Sequence, residues 1–341
     1  MDLYMQRSLE ACRDTDAILV TYLSFFIGYS LAEKMQRPLV ATLLQPTLLP
    51  TKRIPEPAGL WLPRWPRFLG ALVNYQEHLA SGSLIWRLFA PAVNRARKTI
   101  LDLPPLPQKS IFATLPEHVA LILFAYSPSL LPKPDDWGRT TYVTGFWLLN
   151  QTESWQPDPA LVDFLEAGSA PIYIGFGSLS DQDPARLLDI ARQTLARTHQ
   201  RGIVLMEKGY MRAQKLSEQV YVVNSVPHDW LFPRMRLIVH HGGAGTTAAS
   251  LAAGKPSIVV PHSVDQQFWG NRVAALGAGP RPLLRRNLSV DTLTKTLFSV
   301  LKHQEMNRKA WEVGQNLREE HGVERAVQAI NIHLNHESGS R

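Results

Sequence analysis

The stretch Leu237-Ile238-Val239-His240-His241-Gly242-Gly243-Ala244-Gly245-Thr246-Thr247 decides the reading of this chain. Its first four residues form a short apolar run that predicts a strand covered on both faces. The glycines that follow let the backbone approach a ligand closely, and the helix they open presents free N–H groups and the positive end of its dipole. Paired glycines alone also suit a tight strand–helix turn built for packing. The adjoining imidazole of His241 and hydroxyl of Thr246 are what favour an anion, since both can donate to a phosphate oxygen.

Outward from this turn, apolar runs at Pro171 to Phe176, Gly202 to Met206, Gln219 to Val223 and Ser257 to Val260 alternate with helical patterns. The helical patterns lie at Pro184 to His199, Gly245 to Ala253, Gln266 to Leu276 and Ser289 to Lys302. Alternation of this kind predicts a parallel, doubly wound α/β sheet, whose ligands bind outside the carboxyl ends of the strands.

Three further motifs follow strands in the same way. Gly175-Phe176-Gly177-Ser178 offers Ser178 for a second phosphate, although such turns are common. In Pro261-His262-Ser263-Val264-Asp265-Gln266-Gln267, a carboxylate beside a carboxamide suits the neighbouring hydroxyls of a ring, and Asp265 equally suits the N-cap of a helix starting at Gln266. Asn224 to Leu231 contains a loop able to read a base edge near Val226, or an apolar anchor made by Trp230 and Leu231. Asp181-Gln182-Asp183 imitates a metal-binding Asp-x-Asp, but Asp183 before Pro184 is the signature of a helix start. His240 and His241, adjacent on a strand, face opposite ways and make no metal site.

The first half reads differently. Asp16 to Val20 and Leu39 to Leu43 flank a helical pattern from Phe25 to Met35, a βαβ unit. Pro46 to Pro107 is rich in proline and aromatics, with loop at Pro55 to Pro66 and helix from Leu69 to Leu101. Strands follow at Ala120 to Ala125 and Thr141 to Thr144, and polar, proline-punctuated residues 150–159 read as a linker. The expected division is a first domain at 1–149, a second at 160–320, and a helix within 321–341 that returns to the first.

The net charge of +7 arises from scattered arginines and lysines, which suits a basic surface able to meet anionic lipid peripherally. Without a basic stripe interleaved with aromatics, it does not suit a nucleic-acid interface. A single cysteine, Cys12, leaves no intrachain disulfide and accords with a cytoplasmic location. The greasy stretch Ile18 to Ala32 is too short to span a bilayer.

Taken in order and spacing, these motifs resemble the bacterial and fungal sterol and antibiotic glycosyltransferases of the GT-B fold, built from two Rossmann-like domains. Cys12 to Pro46, Pro91 to Arg95 and Tyr142 to Trp147 carry the likeness into the first half. The sterol 3β-glucosyltransferase branch is most similar. The resemblance implies inverting transfer of a hexose, glucose or a relative, from a UDP-sugar donor to a hydroxyl of a lipophilic acceptor, with no metal or other cofactor. It implies that Ser178, His241, Gly243, Gly245 and Thr246 hold the diphosphate, Asp265 and Gln266 the sugar, and the loop of Ser225, Val226 and His228 the base. Plant relatives stack a tryptophan on the base where this chain has Ser225. The aromatic Pro46 to Pro107 region would line the acceptor cleft or form ordinary core.

Family members begin with a strand and a glycine-rich loop carrying the catalytic base, whereas this chain opens on a helix. The first domain is therefore expected to be N-terminally incomplete by about 80–100 residues, at roughly 30 residues per βα unit. No residue matches the base. A non-catalytic nucleotide-sugar-binding protein and an epimerase-like UDP-sugar enzyme remain alternatives.

Overall fold

In the computed structural model, residues 1–57, 67–107, 111–149, 155–176, 183–207 and 209–338 are described. They form two compact units, one of Met1–Gly145 with His321–Arg341 and one of Phe146–Glu320. The division falls four residues before the expected end of the first domain at 149. Phe146 belongs to the second unit because its ring packs on Trp269, with centroids 5.8 Å apart.

In the first unit, strands β1 (Ile18–Val20), β2 (Leu39–Leu43), β3 (Leu121–Phe124) and β4 (Thr141–Val143) pair in parallel, in that order. Every residue of β2 and β3 is buried, as both-face coverage requires. Helices α1 (Asp2–Ala11), α2 (Phe25–Met35), α3 (Arg67–Ala96) and the short α4 (Leu115–His118) surround the sheet. Gly28 of α2 lies so close to β1 that a Cβ there would sit 2.0 Å from Val20 Cγ1. The helix expected at Leu69 to Leu101 is α3, whose last turn, Arg97–Leu101, widens to a π-helix.

The expectation of an aromatic acceptor cleft is corrected at Trp86. That side chain is 1% exposed, packs on Phe26 at 5.2 Å and donates from Nε1 to the Pro107 carbonyl, so it is core. Trp61 and Trp65 lie outside the described residues.

The second unit contains β5 (Ile172–Gly175), β6 (Gly202–Leu205), β7 (Gln214–Lys215), β8 (Val220–Val223), β9 (Leu237–His240) and β10 (Ser257–Val259). Their order is β10-β9-β5-β6-β8-β7, all parallel except the edge strand β7. The winding reverses between β5 and β9, which places a crevice at their carboxyl ends. Side chains alternate between two cores. Ile172, Ile174, Val220, Val222, Leu237 and Val239 face one, while Tyr173, Tyr221, Val223 and Ile238 face the other.

Helices of this unit are α5 (Pro159–Glu166), α6 (Pro184–Thr198), α7 (His228–Leu231), α8 (Ala244–Ala252), α9 (Val264–Ala275), α10 (Val290–Lys302) and α11 (Gln304–Arg318). Asp183 caps α6 by accepting the Arg186 N–H at 2.9 Å. The last helix, α12 (Gly322–Ser338), falls in the first unit, where His333 meets Tyr142 edge-on at 5.5 Å. No described helix is long and apolar enough to cross a membrane.

Candidate functional site

Strand β9 ends at His240, and α8 begins three residues beyond His241. The turn between them depends on Gly242, whose φ is +95°. A Cβ at this position would come 2.6 Å from Val259 Cγ1 and 2.8 Å from the Gln266 carbonyl oxygen, so only glycine fits without displacement. Gly243 is the N-cap of α8, and no side chain caps the helix. Its first N–H groups are therefore left for a ligand or solvent. The imidazole of His241 folds over Gly243, with Nε2 2.6 Å from where a Cβ would stand.

His241 is half-buried. Burial, then the neighbouring His262, hold its pKa below the ordinary imidazole value, against an opposing pull from Asp265. At neutral pH it is thus an uncharged ring able to donate one hydrogen bond. The described residues bring His241, Gly243, Gly245 and Thr246 around one helix start. Ser178, assigned to the same anion from sequence, lies outside the described residues.

The neighbouring strand β10 delivers the second motif. His262 stacks on Phe176, which follows β5, at 6.0 Å and 26°, and its ring centre is 6.4 Å from that of His241. Arg285 Nη1 approaches His262 Nε2 at 3.4 Å. Asp265 is not the N-cap of the next helix. Ser263 holds that place, and Asp265 sits in the first turn, accepting from Ser263 Oγ at 2.5 Å. Gln266 is buried, and its Oε1 accepts the His262 backbone N–H at 2.7 Å. The oxygen of Gln266 is thereby held in place, and its amide nitrogen is left as a donor. His262 and Arg285 were given no role from sequence. The first sits inside a quoted motif, but the second is brought in from a distant turn with no local signal.

The loop after β8 is split. Ser225 and Val226 line a cavity of about 400 Å³ together with Trp155, Asp158, Tyr221 and Asn224. His228 instead lines a separate cavity of about 510 Å³ with Asp229, Gly245, Thr246, Ala249 and Trp147. Its ring stacks on Phe232 at 4.2 Å and 15°, and burial lowers its pKa to about 4. Trp230 meets Trp155 at 5.0 Å, while Leu231 is fully buried, so this segment also acts as an apolar anchor.

Residues 194–331 match the family profile of the erythromycin biosynthesis protein CIII-like C-terminal domain. Sterol 3-beta-glucosyltransferase UGT80B1 of Arabidopsis thaliana is 37% identical over 287 residues, which is 84% of this chain and 44% of that protein. The sterol 3-beta-glucosyltransferase of Pichia angusta is 33% identical over 342 residues, 97% of this chain and 26% of that protein. This chain thus spans less than half the length of these relatives. Among solved structures, the calicheamicin glycosyltransferase CalG4 matches with a TM-score of 0.66 at 16% identity, covering 97% of this chain and 77% of that one. The spinosyn rhamnosyltransferase SpnG complexed with thymidine diphosphate matches with a TM-score of 0.58 at 17% identity, covering 92% and 73%. These likenesses show the GT-B fold.

Proposed function

We propose that this chain, which has the GT-B fold and is 37% identical over 84% of its length to a sterol 3-beta-glucosyltransferase, carries the donor-binding machinery of an inverting glycosyltransferase. The reaction moves a hexose, glucose by preference, from a UDP-sugar to a hydroxyl of a lipophilic acceptor such as a sterol. The acceptor oxygen bonds to C1 of the sugar as the bond from C1 to the phosphate oxygen breaks. The electron pair leaves with UDP, and the hydroxyl proton passes to a base that no residue of this chain is assigned to supply.

The observation that carries this reading is the uncapped start of α8, roofed by His241, at the point where the sheet reverses. Preorganised donors and a helix dipole at that place stabilise charge as it builds on the leaving diphosphate. His241, Thr246 and the backbone at Gly243 and Gly245 serve the diphosphate, a role the sequence motif also assigns to Ser178. Asp265 and the Gln266 amide nitrogen serve the sugar hydroxyls. His228 lies along the nucleoside in the larger cavity, while Ser225 and Val226 offer backbone groups to the base. No role falls to a metal. The surplus of basic residues suits peripheral contact with the membrane in which a lipophilic acceptor dissolves.

Titration calorimetry with UDP and UDP-glucose, joined to a transfer assay with a sterol in detergent, tests the proposal. Micromolar UDP binding with sterol glucoside formed upholds it. Binding without transfer reduces the chain to a nucleotide-sugar-binding unit, and absence of UDP binding ends the reading altogether.

A further inference from the structure

We propose that His240 is a positioning residue for diphosphate recognition, acting through the Gly242 backbone rather than by touching the donor. The inference rests on the donor-site reading above.

His240 is the last residue of β9 and is fully buried. A strand normally ends there with an aliphatic side chain, as its neighbours Leu237, Ile238 and Val239 illustrate. An imidazole withdrawn from water needs a reason. The reason is one hydrogen bond: the buried N–H of Gly242 donates to His240 Nδ1 at 3.1 Å. That N–H belongs to the residue whose positive φ turns the chain from the strand into α8, at a position where an added Cβ would stand 2.6 Å from Val259 Cγ1 and 2.8 Å from the Gln266 carbonyl oxygen, so the turn admits only glycine.

Because Nδ1 accepts, the ring hydrogen of the neutral tautomer stands on Nε2, which has no partner among the described residues. Burial, with His241 and His228 nearby, lowers the pKa to about 3, so the acceptor is retained across the working pH range. Protonation would convert Nδ1 into a donor facing another donor. Neutral His240 therefore sets the Gly242 peptide, and the Gly242 peptide sets where His241 and the first N–H groups of α8 point.

Two amides separate this role from simple filling of space. Asparagine places an oxygen near the Nδ1 position and can accept the Gly242 N–H, whereas glutamine reproduces the far nitrogen and misses it. In His240→Asn, the dissociation constant for UDP stays within about threefold of the parent. In His240→Gln it rises about tenfold or more, because the Gly242 peptide no longer holds His241 and the first N–H groups of α8 toward the diphosphate. Calorimetry reads both, and the thermal midpoint of each variant reports whether it is folded. Equal losses in the two variants, or no loss in glutamine, overturn the inference. Nitrogen-15 spectra of the unmutated protein decide independently of any variant: the hydrogen must reside on Nε2, and an Nδ1–H tautomer refutes the assignment. A parent protein that shows the Nε2–H tautomer yet does not bind UDP indicts the donor site itself, and the inference falls with it.

Discussion

The side chains of Glu56 and His78 meet at 2.5 Å between Oε2 and Nδ1, each almost wholly buried in the first unit. Around them, Thr47 Oγ1 donates to Glu56 Oε1 at 2.8 Å, and His78 Nε2 faces the Ile54 carbonyl at 3.1 Å. A carbonyl can only accept, so Nε2 carries a hydrogen. The loop from Thr47 to Glu56 is thereby tied to the middle of α3.

Removing one member strands the other in a dry site. His78→Ala is expected to lower unfolding stability by about 3–5 kcal/mol, the usual cost of breaking a buried pair from one side. Glu56→Gln should cost less, since its amide still accepts from Thr47. Urea unfolding of the two single variants and the double variant measures the coupling. Strictly additive losses would mean that the pair does not act as a unit.

Gly314 of α11 makes a second stability prediction. A Cβ there would stand 2.7 Å from Gly254 Cα and 2.8 Å from both Gly254 N and the Leu251 carbonyl oxygen. These are backbone atoms and cannot step aside as a side chain does. Gly314→Ala should therefore destabilise by about 1–3 kcal/mol through overpacking, in spite of alanine's better helix propensity. A thermal midpoint equal to or above that of the parent would show that α11 can slide on α8.

The same contact explains why α11 was not read from the sequence. Its buried residues are Ala310, Gly314 and Leu317, and where it approaches α8 backbone to backbone the contact is made by small residues that carry little apolar signal. The five parallel strands of the second unit were legible because a parallel sheet covered on both faces demands continuous apolar runs, whereas the exposed antiparallel β7 gave no such run. The strand–helix turn at Gly242 was legible because glycines between a strand and a helix demand a close backbone approach. By contrast, no sign in the sequence shows that Gln266 braces the His262 backbone through its Oε1. Nothing local distinguishes a carboxamide aimed outward from one folded back. Arg285, 23 residues beyond His262, reaches it only through the fold.

For the donor site, His241→Ala should weaken binding of UDP-glucose by about 1–3 kcal/mol, as expected for loss of a hydrogen bond to a charged group. The sign of the pH effect follows from the depressed pKa of the free protein. A bound diphosphate favours the imidazolium, raises the pKa in the complex, and makes binding take up a proton. Affinity should increase as pH falls from 7.5 to 6, and His241→Gln should flatten that dependence. UDP-glucose suits this measurement better than UDP, because its phosphates do not titrate in the range. An affinity that falls with acid, or a slope that survives the glutamine variant, would remove His241 from the diphosphate site.

The two deeper histidines govern acid stability in the opposite sense. Burial holds His228 at about 4 and His240 at about 3, whereas both approach the ordinary imidazole value near 6.5 when unfolded. At pH 7 the folded rings are neutral and the unfolded ones mostly so, and these groups contribute little pH dependence. As pH falls below about 6.5, the unfolded chain binds protons that the folded chain refuses, so stability is lost. The loss continues until about pH 4 for His228 and about pH 3 for His240. From pH 6.5 to 5 the two together should remove about 3 kcal/mol, before most carboxylates titrate. His228→Asn combined with His240→Asn removes both groups and should leave a visibly shallower decline, driven by His241 and His262, whose pKa values burial also lowers. Chemical denaturation at half-unit pH steps reads the slope. A parent stability that is level across this window would mean that both rings are already protonated in the fold, and for His240 that state is incompatible with the hydrogen bond from Gly242 to its Nδ1.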